Sequence, residues 1–245
     1  MDTTTLHERA YQQLKTALLA GAFRPGEPVT IRGLASEFGT SPMPVREAVR
    51  RLVSEHALEM PNSRSVRVPP MSLRHFDQLV KVRIALEGEA AALAATRMTP
   101  ETLGELARIN EVISRLQKSG DFAGALRANQ RFHHMIYSVS ENSVMMMLIE
   151  TLWLQAGPYL NLVTSGTKYE GDFYHEDILR ALRNRDRKFA CQAVRADIRA
   201  GAKVYRKHLR NVEVPTVHRR SRGAGLVKSS GGGTARLSRL RVSSG

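Results

Sequence analysis

Hydrophobic positions recur every three to four residues along most of this chain, the period of a helix with one face turned to a core. In residues 5–20, Leu6, Ala10, Leu14, Ala17 and Leu18 fall on one helical face. Gly21 ends that helix, and Pro25, Gly26 and Pro28 turn the chain. Thr30 can cap a short helix closed by Gly39, and Thr40 or Ser41 caps another that runs to about Ala57. The period then shortens: Leu58–Met60 and Ser65–Val68 read as two strands around a Pro-Asn-Ser turn. Three helices and a hairpin within residues 1–70 are the plan of a winged helix-turn-helix.

Beyond Pro70 the pattern is of long helices, predicted at 72–97, 101–118, 121–139, 142–163, 170–184 and 186–210. Gly120, Asn142, the Thr-Ser-Gly-Thr loop at 164–167 and the Asn184–Asp186 region supply the breaks. Leu79, Val82, Leu86, Ala90, Leu93 and Ala94 predict a buried stripe on the first of these helices. Leu103, Leu106, Ile109, Ile113 and Leu116 predict one on the second. The fold class is therefore mainly α: a winged helix-turn-helix over 1–70 followed by an all-α bundle over 71–214.

Composition refines this picture at the edges. A single cysteine, Cys191, excludes an internal disulfide framework and fits a reducing compartment. The N-terminus shows no secretory apolar region, and no apolar run is long enough to span a bilayer, so a cytoplasmic protein without a membrane partner is expected. The net charge of +14 is uneven. Residues 215–245 carry seven cations and no acid around a Ser-Ser-Gly-Gly-Gly centre, which reads as a flexible, low-complexity tail.

The stretch Ser41–Leu58, "SPMPVREAVRRLVSEHAL", carries the chemistry of the head. The first turn of a helix has backbone N–H groups with no intrahelical partner, so Pro42 and Pro44 stiffen it at little cost. Val45, Ala48, Val49 and Leu52 form a face that packs down. Arg46 and Arg50, four apart, share an outward face from which Arg46 can reach base edges or phosphates. Arg51 lies on the flank, suited to the phosphate backbone, or else to an ordinary i,i+4 pair with Glu47.

In the bundle, Asn129 and His133 are i and i+4 on one helix, while His175 stands near the start of another and Asp197 in the middle of the next. Antiparallel helices can bring such residues to one height in a bundle interior, where metal sites are built. Imidazole and carboxylate donors suit zinc, nickel, manganese or iron. The alternative is a set of hydrogen-bonded core residues.

The run "FRPGEPVTIRGLASEFGTSPMPVREAVRRLVSEHALE" resembles the signature of GntR-type bacterial transcription regulators. Residue by residue, the resemblance implies DNA contacts from Arg32, Ser41, Met43, Arg46 and Arg50, with wing contacts from Arg64 and Ser65. The wing departs from the family pattern, reading "NSRSVRV" without a glycine. The body is similar to the FCD ligand-binding domain of the FadR branch through "VRIALEGEAAALAATRMT", "NQRFHHMIYSVSENSVMMMLI" and "YHEDILRALRNRDRKFACQAVRADI". That likeness implies a divalent metal held by Asn129, His133, His175 and Asp197, with Asn in place of the commoner Asp and Asp197 in place of a third histidine. It also implies a small organic acid effector beside the metal. Arg83 then stands where the family has an arginine fit to pair a carboxylate, unless it pairs Glu87 at i+4. Tyr159 and Asn161, from "GPYLN", are further candidates for the effector cavity.

The resulting expectation is a ligand-responsive regulator, not an enzyme, acting as a repressor and reading a pseudo-palindromic operator as a homodimer. Two other classes fit parts of the sequence. A metalloenzyme body tethered to DNA would turn over substrate when given metal. An architectural protein dominated by its tail would lose DNA binding when residues 215–245 are deleted.

Overall fold

The computed structural model describes residues 5–19, 21–23, 25–26, 28–62, 65–70, 72–164 and 174–211, with the side chains of 159–164 and 208–211 excepted. Among them, nine helices and three short strands build two apolar cores.

Helix α1 (Leu6–Leu19) buries Ala10, Tyr11, Leu14, Ala17 and Leu18, as its periodicity predicts. Leu6 departs from the predicted face: it is 60% exposed, at the helix's free end. The chain then forms β1 (Pro28–Thr30), α2 (Ile31–Glu37) and α3 (Pro42–Ser54). The Thr30 hydroxyl accepts from Gly33 N–H at 3.0 Å and so starts α2. Between α2 and α3, Gly39 takes a positive φ of 62°, open to glycine at no steric cost.

The wing comprises β2 (Glu59–Asn62) and β3 (Ser65–Arg67), close to the predicted pair. The sequence pattern did not show that β1 completes an antiparallel sheet in the order β1-β3-β2, pairing Val29 with Val66. Pro61 cannot donate to a ladder, and it lies in the edge strand β2, where the register is irregular between Glu59 and Asn62. Asn62 closes the glycine-free turn by accepting from the backbone N–H and hydroxyl of Ser65, both at 2.9 Å.

The bundle is α4 (Leu73–Arg97), α5 (Pro100–Ser119), α6 (Phe122–Ser138), α7 (Ser143–Thr164), α8 (His175–Arg183) and α9 (Arg187–Asn211). Ser72, Thr99 and Asp121 cap α4, α5 and α6 through side-chain oxygens, and Gly120 ends α5 in the left-handed conformation. The start predicted for α8 at residues 170–173, like the loop at 165–167, lies outside the described residues. So does the tail at 215–245.

The core face of α4 is small: Ala90, Ala91, Ala94 and Ala95 are all fully buried. At Gly88 an added Cβ would lie 2.7 Å from Arg195 Nε, so α4 and α9 approach closely. Val82, expected in this stripe, is instead 47% exposed, on a face shared with exposed Gln78, Ala85 and Glu89. Of the stripe predicted on α5, Leu106, Ile109 and Ile113 are buried, while Leu103 and Leu116 toward its ends are half-buried. No helix among the described residues is long and apolar enough to cross a membrane.

Candidate functional sites in the head and the bundle

Helix α3 turns Val45, Ala48, Val49 and Leu52 into the head's core. Ser41 is its N-cap, Pro42 opens the first turn, and Pro44 sits two residues further on. A cap side chain ordinarily accepts from the N–H of the second or third helical residue, and Pro44 has none to give. The Ser41 hydroxyl accordingly makes no cap hydrogen bond. Met43 is 61% exposed, and Arg46 is exposed with no side-chain partner among the described residues. Arg50 is exposed and paired with Glu47 at 2.8 Å. Arg32 is exposed on the first turn of α2. Ser65 is half-buried in the wing, and Arg64 lies outside the described residues.

Arg51 belongs to the head's own scaffold. Its guanidinium stacks 3.6 Å from the Tyr11 ring centroid and reaches Glu8 at 3.2 Å and Glu55 at 3.3 Å. The Glu47 pair suggested by its position on the helix is not formed; α1 crossing beneath α3 supplies partners that the local spacing does not show.

In the bundle, α6 presents Asn129 and His133, α8 presents His175 in its first turn, and α9 presents Asp197. His133, His175 and Asp197 are buried, and one potential ligand atom from each lies within 4.8 Å of the others. His133 Nε2 is 3.2 Å from Asp197 Oδ2, and His175 Nε2 is 3.9 Å from Asp197 Oδ1. Asn129 Oδ1, His175 Nε2 and Asp197 Oδ1 are buried with no hydrogen-bond partner among the described residues. Leaving buried acceptors unmatched costs about 1–3 kcal/mol each.

The groups behind this cluster set its protonation. His175 Nδ1 lies 2.9 Å from Asn110 Oδ1, and Asn110 Nδ2 donates to Glu176 Oε1 at 2.8 Å. Glu176 thus fixes which way the Asn110 amide points, and the Asn110 oxygen holds the proton on His175 Nδ1. The Nε2 lone pair is left facing inward. Burial pushes the His175 pKa down to about 4, against the opposing pull of Asp197, so the ring is neutral at physiological pH. Burial raises Asp197, but the hydrogen bond from His133, with the positive charge of Arg83 beyond it, opposes burial, and the carboxylate is held below its ordinary range. His133 Nδ1 pairs with the Tyr137 hydroxyl at 3.1 Å.

Two imidazoles, a carboxylate and an amide oxygen, three of their atoms unmatched, fit a divalent cation. Asn129, His133 and Asp197 also line a cavity that leaves about 50 Å³ for the centres of water-sized molecules. Arg83, Glu87, Trp153 and Tyr205 line it as well. Arg83 Nε donates to Glu87 Oε1 at 2.6 Å, and Trp153 Nε1 donates to the same oxygen at 3.0 Å. The i,i+4 pair is therefore formed, while Arg83 also borders the cavity. Tyr159 and Asn161 lie in α7, but their side chains are outside the described residues.

Asn110, Tyr137 and Trp153 were not singled out by the sequence pattern, and Glu87 was named only as a partner for Arg83. The readable signals were polar residues in apolar stripes: Asn110 between Leu106 and Ile113, and Glu87 on an alanine face.

A family model described as "Bacterial regulatory proteins, gntR family" matches residues 6–68, and one for the FCD domain matches residues 78–200. The chain belongs to the gntR family of regulators with an FCD domain. It is 35% identical over 161 residues to the HTH-type transcriptional regulator McbR of Escherichia coli (strain K12), covering 66% of this chain and 73% of that protein. It is 29% identical over 148 residues to the HTH-type transcriptional regulator YdhC of Bacillus subtilis (strain 168), covering 60% of this chain and 66% of that one. The solved structure of E. coli McbR/YncC superposes with a TM-score of 0.81 at 28% identity, over 84% of this chain and all of that one. The fold class and family expected from the residues are thus found: a winged helix-turn-helix head on a helical FCD body, in a transcription regulator.

Proposed function

We propose that this regulator couples operator binding by α3 to occupancy of the bundle cavity by a small organic acid resting on a divalent metal. The observation that carries the reading is the convergence of three buried, unmatched acceptors, on Asn129, His175 and Asp197, around His133 at the cavity wall. Asn129 Oδ1, His133 Nε2, His175 Nε2 and Asp197 would hold the ion, which when bound supplies a Lewis-acidic site for a ligand oxygen. Arg83 spends two of its N–H donors on Glu87 and has others to offer a ligand carboxylate in the cavity it lines.

In the head, Arg46 reads base edges in the major groove, Arg50 joins it after leaving Glu47, and Arg32, Ser41 and Met43 place the helix. The wing, through Arg64 and Ser65, follows the adjacent groove. A homodimer sets two heads about one helical turn apart on a pseudo-palindromic cytoplasmic operator, and the ligand shifts the DNA-competent population, acting as inducer of a repressor. Residues 1–70 form the head, 71–214 the sensor and dimerisation body, and 215–245 a basic tail that adds non-specific attraction to DNA.

Elemental analysis of the purified chain followed by a thermal-shift screen of small carboxylic acids, with and without divalent metals, tests the sensor. A metal-dependent rise in melting temperature, accompanied by a change in the fluorescence of Trp153, the chain's single tryptophan, is the expected result. Failure of His133→Ala with His175→Ala to lower the metal content would remove the proposed ligand set.

A further inference from the structure

The cavity and the DNA-reading head share a wall. Helix α7 turns Trp153 and Ala156 toward the cavity, while its neighbouring positions Leu154, Gln155 and Gly157 meet the head. Leu154 is fully buried as a member of the head's apolar core, although it belongs to the body's helix. At Gly157 an added Cβ would lie 2.7 Å from the Leu18 carbonyl oxygen and 3.1 Å from Leu19 Cα, so the two helix backbones touch there. Any larger side chain at 157 must push α1 away.

Polar contacts fix the alignment at both ends of this seam. Gln155 Nε2 donates at 3.2 Å to the backbone oxygen of Glu55, the residue that ends α3. The carboxylate of Glu55 accepts from Tyr11 and Arg51, so through its backbone and side chain this one residue gathers α1, α3 and α7. Lys15 reaches Glu150 at 2.7 Å, and His134 meets the other oxygen of that carboxylate at 3.2 Å. Gln130, next to Asn129 on α6, lines the cavity and donates through Nε2 to Leu19 O at 3.0 Å. Leu19 ends α1, where a carbonyl has no intrahelical partner, so Gln130 supplies the bond that the helix leaves open.

The geometry points to Gln130 and Gln155 as positioning residues that make the head's orientation a readout of the cavity. Gln130 lines the cavity and also holds the end of α1; a change at Asn129 or in the cavity therefore moves the hydrogen bond that ties the end of α1 to α6. Gln155 carries the displacement of α7 directly to the end of the recognition helix. The coupling is energetic and reciprocal: whatever seats the head also stiffens the cavity. This inference rests on the reading of the cavity as the sensor site, but its mechanical part does not require the metal.

Hydrogen exchange of the full chain, read by mass spectrometry, tests both parts with Zn²⁺ as the probe. In metal-free protein, Gln130→Ala and Gly157→Val are expected to speed exchange about fivefold or more at the end of α1 and the end of α3. Zn²⁺ is expected to change exchange at those segments by a similar factor in the wild type. In Gln130→Ala it should leave them unaltered at equal metal content, which a merely structural glutamine would not produce. Unchanged head exchange in both metal-free variants overturns the proposal. So does a zinc-loaded wild type whose head does not respond, or a Gln130→Ala variant that responds like the wild type. If the wild type takes up no zinc, the metal reading fails, and the proposal is decided by the metal-free comparison alone.

Discussion

Asn110 holds His175 in the tautomer that a metal requires. Its amide oxygen lies 2.9 Å from His175 Nδ1, and its own nitrogen is spent on Glu176. A partner of this kind orients the ring and keeps the ligating lone pair free, and its loss typically costs 10–100-fold in metal affinity. Asn110→Ala should weaken zinc binding by about that factor in competition with a chromophoric chelator, with helical content unchanged. Wild-type affinity in the variant would mean that His175 is not a ligand through Nε2.

The same burial makes a pH prediction. The folded-state pKa of His175, about 4, lies below the 6.5 of an unhindered histidine. The unfolded chain therefore binds more protons than the folded chain between those values, and stability falls as pH drops through that window. The slope from this one residue approaches ~1.4 kcal/mol per pH unit at its steepest. Urea unfolding of chelator-treated protein between pH 7 and 4 should show it, and His175→Gln should flatten it.

How much of this was legible beforehand differs from element to element. The C-terminal end of α5 was readable because Gly120 is local capping chemistry, and it is observed in that role. Strand β1 was not, since three residues between prolines and glycines become a strand only because β3 lies alongside. His133 was visible from its distance to Asn129 on one helix turn. Asn110 was not, because the packing of α5 on α8, rather than any spacing, brings it to His175. Arg51 shows the same limit in the head: its helical neighbours suggest a pair with Glu47, and the tertiary partner Tyr11 wins. Val82 fails for a related reason, because the alanines of α4, not its larger side chains, mark the close approach to α9.

Glu87 is 1% exposed and accepts from Arg83 and Trp153. Removing one member of a buried ion pair leaves an uncompensated charge, at about 3–5 kcal/mol. Glu87→Ala should lower the free energy of unfolding by that order, measured with denaturant. Replacing both members, Arg83→Met with Glu87→Leu, should recover most of the loss, since a matched apolar pair removes the uncompensated charge and leaves neutral partners such as the Trp153 N–H to satisfy. A double variant no more stable than Glu87→Ala would show that Arg83 is held by something other than this pair.

Arg46 and Arg51 are five residues apart on one helix, and their surroundings predict opposite phenotypes. Arg46 is exposed and without a partner among the described residues, so its guanidinium does nothing for the fold. Arg46→Ala should leave the melting temperature unchanged while weakening operator binding by roughly 1–3 kcal/mol and relaxing selectivity at one position per half-site. Arg51 stacks on Tyr11 and bridges Glu8 and Glu55. A cation over an aromatic face at an exposed site contributes about 0.5–1 kcal/mol, and these exposed ion pairs add little. Arg51→Ala should therefore lower head stability by about 1 kcal/mol, yet leave the base preference of the operator as it was. Footprinting on a selected operator separates the two, because only the loss of a base-reading group changes which sequences compete. If Arg51→Ala were the variant that altered sequence preference, the face of α3 assigned to the groove would be wrong.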